Sequence, residues 1–216
     1  MSAFAMILAA TLAVAEAGEY EEPVAAQAAS GVSGEGRWLV GASAGYPWSG
    51  LRAQLGLRHG LSPLVEVDTA LGRRWRPAAG LAMLWVSRAR LRIGGEALFG
   101  WLLQGGELRR FGPSAELRVR IAVPLGRAVP YAVVGTQHTL LADRTRTERL
   151  DGSRSTEIQL DGEWMGRATI GLMVAASHRL AIDFGLDLTG TDGLRVPSIP
   201  GAHFGIVFGD HQRRRR

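Results

Sequence analysis

The segment LAIDFGLDL at 180–188 alternates without a miss. Leu180, Ile182, Phe184, Leu186 and Leu188 fall on one side, and Ala181, Asp183, Gly185 and Asp187 on the other. A period of two is the repeat of a β-strand with two unlike faces. The same period runs almost everywhere from Arg37 onward and predicts strands near 37–46, 50–58, 64–72, 78–87, 90–103, 112–123, 129–141, 163–175, 179–189 and 200–208. Ten strands result, or eight if the first pair fails. Most are close to the roughly 9 to 11 residues that a tilted strand needs to cross the hydrocarbon layer of a bilayer. Alternation is poor over 78–87 and 129–141.

The two faces differ in kind. One carries Leu51, Leu55, Val65, Val67, Phe99, Leu117, Ile121, Ile170, Phe204 and Ile206 and their neighbours, and no charge. The other carries Arg52, Arg58, Arg90, Arg92, Arg118, Arg120 and Arg167 together with Glu66, Asp68, Glu96, Glu116, Glu163, Asp183 and Asp187, padded with Gly56, Ala70, Gly94 and Ser114. Signs match one for one, as an enclosed lumen requires, because an unpaired enclosed charge costs several kcal/mol. The apolar face is therefore expected to meet lipid. Aromatic residues agree: Tyr46, Trp48, Trp101, Phe111 and Trp164 fall at one set of strand ends, and Trp38, Trp85, Tyr131 and Phe208 at the other, as two interfacial girdles would.

Connections alternate in length. Those at 59–63, 87–89, 124–128 and 176–179 are tight, and those at 73–77, 104–111, 142–162 and 190–199 are longer, with Pro47–Ser49 the exception. Outer-membrane barrels sort their loops in this way. At 216 residues one architecture should explain nearly the whole chain. Its 29 glycines, spread throughout, suit strands and tight turns better than helices.

The start reads as an address. Residues 3–15, AFAMILAATLAVA, form an apolar run ending in the small-x-small pattern Ala13-Val14-Ala15, which predicts a cleaved signal peptide over 1–15, although no basic residue precedes it. Residues 16–36 lack periodicity and read as a flexible extension, 37–208 as the barrel, and 209–216 as a basic tail ending in Arg213–Arg216. Without that tail the formal net charge of +5 falls close to neutral, and no basic stripe with interleaved aromatics appears, so nucleic acid is not expected as a partner.

With these features the chain resembles the small outer-membrane β-barrel proteins of Gram-negative bacteria, over residues 37–208. The resemblance implies an all-β fold, a closed antiparallel up-and-down transmembrane barrel of porin-like architecture in the cell envelope. In that class the last strand ends in an aromatic residue read by the barrel-assembly machinery. Phe204, Ile206 and Phe208 match that pattern, although Gly209 to Arg216 follow. Outer-membrane lipid and the assembly machinery are then the implied partners.

Little chemistry stands out besides the charged lumen. Gly41-Ala42-Ser43-Ala44-Gly45 matches a nucleophile pattern, but the required strand-to-helix turn is missing, since Tyr46-Pro47-Trp48 leads into another strand. Of the five histidines, His138 and His203 are placed to face the lumen near acids; a barrel-rim hydrolase using them or Ser43 is the weakest reading. There is no cysteine and every basic residue is Arg, which removes thiolate metal sites and the phosphate loop lysine. No catalytic residue, cofactor or metal site is expected. The loop 142–162, with Asp151-Gly152 at its centre, predicts a hairpin rising beyond the membrane, a candidate contact for a surface ligand. The leading expectation is a barrel with a narrow, charge-plugged lumen and a structural or surface-interaction role. The alternative is a soluble periplasmic carrier whose apolar face turns inward around a ligand.

Overall fold

The computed structural model describes residues 24–105, 110–148, 154–191 and 199–210, with the backbone alone over 143–148 and 154–159. The segment expected as a signal peptide, the first part of the expected extension and the Arg213–Arg216 tail lie outside the described residues.

Ten strands form one closed sheet: β1 (Trp38–Tyr46), β2 (Trp48–Leu55), β3 (Leu61–Ala70), β4 (Arg74–Arg88), β5 (Leu91–Gln104), β6 (Arg110–Ala122), β7 (Ala128–Glu148), β8 (Arg154–Ala175), β9 (Leu180–Thr191) and β10 (Ile199–Gly209). Each pairs antiparallel with its sequence neighbours, and β10 returns to β1 with Leu39 opposite Gly209 and Tyr46 opposite Ala202. Closure leaves no sheet edge, so every strand finds its ladder within the barrel. No helix among the described residues is long and apolar enough to cross a membrane, which leaves spanning to strands.

One end of the barrel gathers the connections 56–60, 89–90, 123–127 and 176–179 together with Trp38 and Gly209; the other gathers Pro47, 71–73 and the opposite ends of β5 to β10. We call these the terminal end and the loop end. At the loop end β7 and β8 continue as a paired ribbon as far as Glu148 opposite Arg154, so the hairpin expected over 142–162 is an extension of two barrel strands.

Inside the terminal end lies an element that sequence did not suggest. Residues Val24–Ser30 form a helix, α1, packed in the lumen, with Ala25 and Ala29 fully buried. Its end is a Schellman motif: the Gly31 amide donates to the Ala28 carbonyl and the Val32 amide to the Gln27 carbonyl. Gly31 takes the left-handed φ of 75° that this motif needs, and a Cβ there would fall on the Glu96 carboxylate. The chain then doubles back toward β1. Ser33 accepts and donates hydrogen bonds with Ser62 of β3, the Gly34 amide donates to the Gln27 side chain, the Gly36 amide donates to the Gly56 carbonyl and the Gly56 amide to the Arg37 carbonyl.

Residues 24–36 are thus an ordered plug, correcting the expectation of a flexible extension there. Periodicity is absent because a seven-residue helix enclosed on all sides has no polar face to alternate with. The plug also accounts for the two strands that alternate poorly. On one side Val24, Ala25, Ala26 and Ala29 pack against Val129, Tyr131, Val133, Met173 and Ala175; on the other Val32 packs against Leu64, Ala78, Ala82 and Leu98. The inward residues of β4 and β7 are apolar where they meet the plug, which blurs the contrast between their two faces.

Candidate functional site

Above the plug the inward positions of β2 to β6 bring together oppositely charged side chains. Register sets the first contacts, pairing Arg52 with Glu66, Asp68 with Arg76, and Glu96 with Arg118 across adjacent strands. Longer ties cross the lumen. Arg118 of β6 donates to both oxygens of Glu66 on β3, at 2.8 and 2.5 Å, while bonding Glu116 through Nε at 2.6 Å and Nη2 at 2.9 Å. Arg52 of β2 forks onto Glu96 of β5 at 3.0 and 2.7 Å, and also donates to Gln54 and to the Gly31 carbonyl of the plug. Arg76 meets Glu66 at 3.0 Å, Asp68 at 2.6 Å and Glu116. Arg120 lies against Glu96, and Arg167 of β8 reaches to 4.0 Å from Asp68. At the loop end Arg74 and Glu163 form a bidentate pair across the mouth at 3.1 and 3.2 Å.

A second cluster occupies the wall formed by β7 to β10. His203 lies between Asp187, 2.7 Å from Nδ1, and Asp183, 3.2 Å from Nε2. The Tyr131 hydroxyl donates to Asp183 at 2.8 Å, and the Thr169 hydroxyl to Asp187 at 2.6 Å. Between the two clusters, with Ala28 of α1 below and Trp48 to the side, lies a cavity of about 160 Å³.

Of the charged residues expected in the lumen, Arg52, Glu66, Asp68, Arg92, Glu96, Glu116, Arg118, Arg120, Arg167, Asp183 and Asp187 point inward. Arg58 and Arg90 do not. Arg58 begins a 3₁₀ turn, Arg58–Gly60, in which His59 has φ 61°, and it pairs with Glu35 outside the barrel. Arg90 is exposed in the turn between β4 and β5. Counting by twos fails once the backbone leaves the extended region. Arg76, in contrast, was read as part of a connection, yet it is among the most completely buried side chains. Its signal was available in Trp75-Arg76-Pro77, where a lone charge sits between two outward-facing apolar residues. Trp48 and Tyr131 also turn inward instead of joining the girdles.

Other candidates separate cleanly. Ser43 sits midway along β1, opposite Gly205 and Gly50, not on a strand-to-helix turn. Both ring nitrogens of His203 are engaged by carboxylates, and His138 faces outward, its ring centroid 4.4 Å from that of Trp164. Glu66, Asp68 and Glu116 lie close enough together to hold a cation, but Arg76 and Arg118 already occupy the space between their oxygens.

Outside, the surface is apolar. Leu51, Val65, Phe99, Leu117, Val134, Ile170, Leu186 and Phe204 are exposed, and Tyr46, Trp75, Trp101, Phe111 and Trp164 ring the loop end while Trp38, Trp85 and Phe208 ring the terminal end. A continuous apolar belt flanked by aromatic girdles is the surface of a barrel that stands in a bilayer. It rules out the soluble-carrier reading, whose apolar face would point inward. Leu186, 69% exposed midway along β9, supplies a test. In lipid vesicles Leu186→Arg is expected to cost about 2–4 kcal/mol of unfolding free energy, and a change under about 0.5 kcal/mol, ordinary for a water-exposed site, would contradict lipid contact.

No family model matches this sequence, and no curated protein matches it. Several solved structures are similar in fold. The N-terminal β-barrel domain of Pseudomonas aeruginosa OprF is 11% identical, with a TM-score of 0.38, covering 82% of this chain and 100% of that one. Ail, the attachment invasion locus protein of Yersinia pestis, is 9% identical with a TM-score of 0.42, covering 82% and 99%. Neisserial surface protein A is 11% identical with a TM-score of 0.37, covering 81% and 97%.

Proposed function

We propose that this chain is an outer-membrane barrel whose lumen lets no solute pass through, serving a structural or surface-interaction role. The observation that carries the reading is double closure: a helix and its return segment fill the terminal end, and guanidinium–carboxylate ties cross the space above it. A ten-stranded barrel is little wider than the eight-stranded kind that side chains fill, whereas open porins use about 16 to 18 strands. Arginine suits the ties because its planar fork binds two carboxylate oxygens at once.

The ribbon of β7 and β8, paired as far as Glu148 and Arg154, extends the wall at the loop end and is the place where a surface ligand would dock. Phe204, Ile206 and Phe208, alternating outward along β10, fit the strand pattern that barrel-assembly machinery reads.

Planar-bilayer recording tests the closure. The expected result is no steady conductance, or only a small one; large stable channels from the full chain would refute it. Heat-modifiable migration of the detergent-extracted protein on a denaturing gel serves as the check that the recorded material is folded.

A further inference from the structure

The cavity between the two clusters has an uneven wall. On its acidic side the oxygens are used: Asp183 accepts from Tyr131 and faces His203, and Asp187 accepts from Thr169 and faces His203. On its basic side Arg52 spends its guanidinium on Glu96, Gln54 and Gly31. Arg120 and Arg167 do not. Arg120 lies against Glu96 with Nε nearest, and its terminal nitrogens donate no hydrogen bond among the described residues. Arg167 donates none either; Asp68, at 4.0 Å, is beyond hydrogen-bonding distance. Instead its guanidinium lies over the Trp48 ring, 5.4 Å from the centroid, and Trp48 is itself anchored through Nε1 to the Thr189 hydroxyl at 3.3 Å. Stacking uses the face of a guanidinium and leaves its in-plane N–H donors unspent.

From this geometry we infer that the lumen holds a binding site for a small free oxyanion, a phosphate, sulfate or compact carboxylate, clasped by the terminal nitrogens of Arg120 and Arg167. Arg donors that line a cavity without a carboxylate partner are satisfied most strongly by an anionic oxygen. Trp48 holds Arg167 in place beforehand, so little side-chain freedom remains to be lost on binding. The plug floors the cavity with Ala28, which makes it a place of capture and not a route. The barrel wall separates it from acyl chains, so the occupant is a solute and not a lipid headgroup.

The site is tested on the detergent-solubilised full chain with inorganic phosphate and inorganic sulfate, by calorimetry and by the shift of the thermal transition. Saturable binding of at least one anion is expected, with affinity reduced about tenfold or more in Arg167→Gln, as loss of a charge-assisted bond implies. Arg58→Gln, outside the lumen, should bind as the parent does. A phosphate-headed lipid in mixed micelles should not compete. Arg120→Gln is expected to act like Arg167→Gln; if it does not show heat-modifiable migration, Arg167→Gln decides alone, since that side chain forms no hydrogen bond to lose. Absence of saturable binding to either anion, unchanged affinity in Arg167→Gln, or competition by the lipid would each overturn the inference. Closure to solutes is judged separately: large conductance with intact anion binding would defeat the closed-lumen reading alone.

Discussion

Arg118→Met is expected to lower unfolding stability by about 3–5 kcal/mol, the usual cost of removing one partner from a buried ion pair. The side chain is 5% exposed and holds Glu66 and Glu116 at once. Its loss leaves both carboxylates buried, with Arg76 as the main remaining partner. Methionine fills similar volume, so the change reads charge more than cavity. Arg58→Met is the comparison. Arg58, 80% exposed and paired with Glu35, should cost no more than about 1 kcal/mol. Denaturant unfolding followed by tryptophan fluorescence measures both. The double variant Arg118→Met/Glu116→Gln should recover part of the loss, because one of the stranded charges is gone. Equal small effects at 118 and 58 would mean that the lumen ties do not bear on stability.

The second large effect concerns the plug. The chain has no cysteine, so a single one reports cleanly. Ala29 is fully buried in the lumen, and Ala89→Cys, in an exposed turn, supplies the reference. Ala29→Cys is expected to react with a water-soluble maleimide more slowly than Ala89→Cys by a factor on the order of a hundred or more, because labelling must wait for the plug to open. Gly94→Leu should remove that protection. Gly94 faces inward on β5, and a Cβ there would lie 2.6 Å from the Ser30 carbonyl and 3.5 Å from Val32. A leucine at 94 and the plug cannot occupy the same space. Rapid labelling of Ala29→Cys in the otherwise unchanged folded protein would show residues 24–36 to be as loose as their composition suggests.

The barrel was legible because one rule, period two, governs both its geometry and its surroundings. Leu180 to Leu188 shows this at its plainest: exposed Phe184, Leu186 and Leu188 alternate with buried Asp183, Gly185 and Asp187. The plug was not legible. VAAQAAS is seven residues of mostly small side chains, too short for a helical repeat to emerge, and the smallness that lets it fit inside the barrel is also what makes a segment look like linker. The same cause hid Arg76. Its strand faces α1's side of the lumen with alanine and glycine, so Ala78, Gly80 and Ala82 gave no polar contrast to Ala79 and Leu81. Arg58 and Arg90 erred in the opposite direction, by extending the alternation past the last extended residue. What no pattern could supply was which arginines have spent their donors. Arg52 and Arg120 both point inward from barrel strands, yet Arg52 hydrogen-bonds through all three of its nitrogens and Arg120 does not, a difference set by strands brought together only on closure.

The helix has a further effect at the seam where the first and last strands meet. Its apolar side rests on Leu39 of β1 and on Val207 of β10, so it backs that junction from within. Unzipping the wall there would bare α1 to hydrocarbon together with the unpaired backbone groups of β1 and β10. The element that closes the axis in the proposed reading therefore also resists sideways exit of a lipid or peptide from the interior into the membrane.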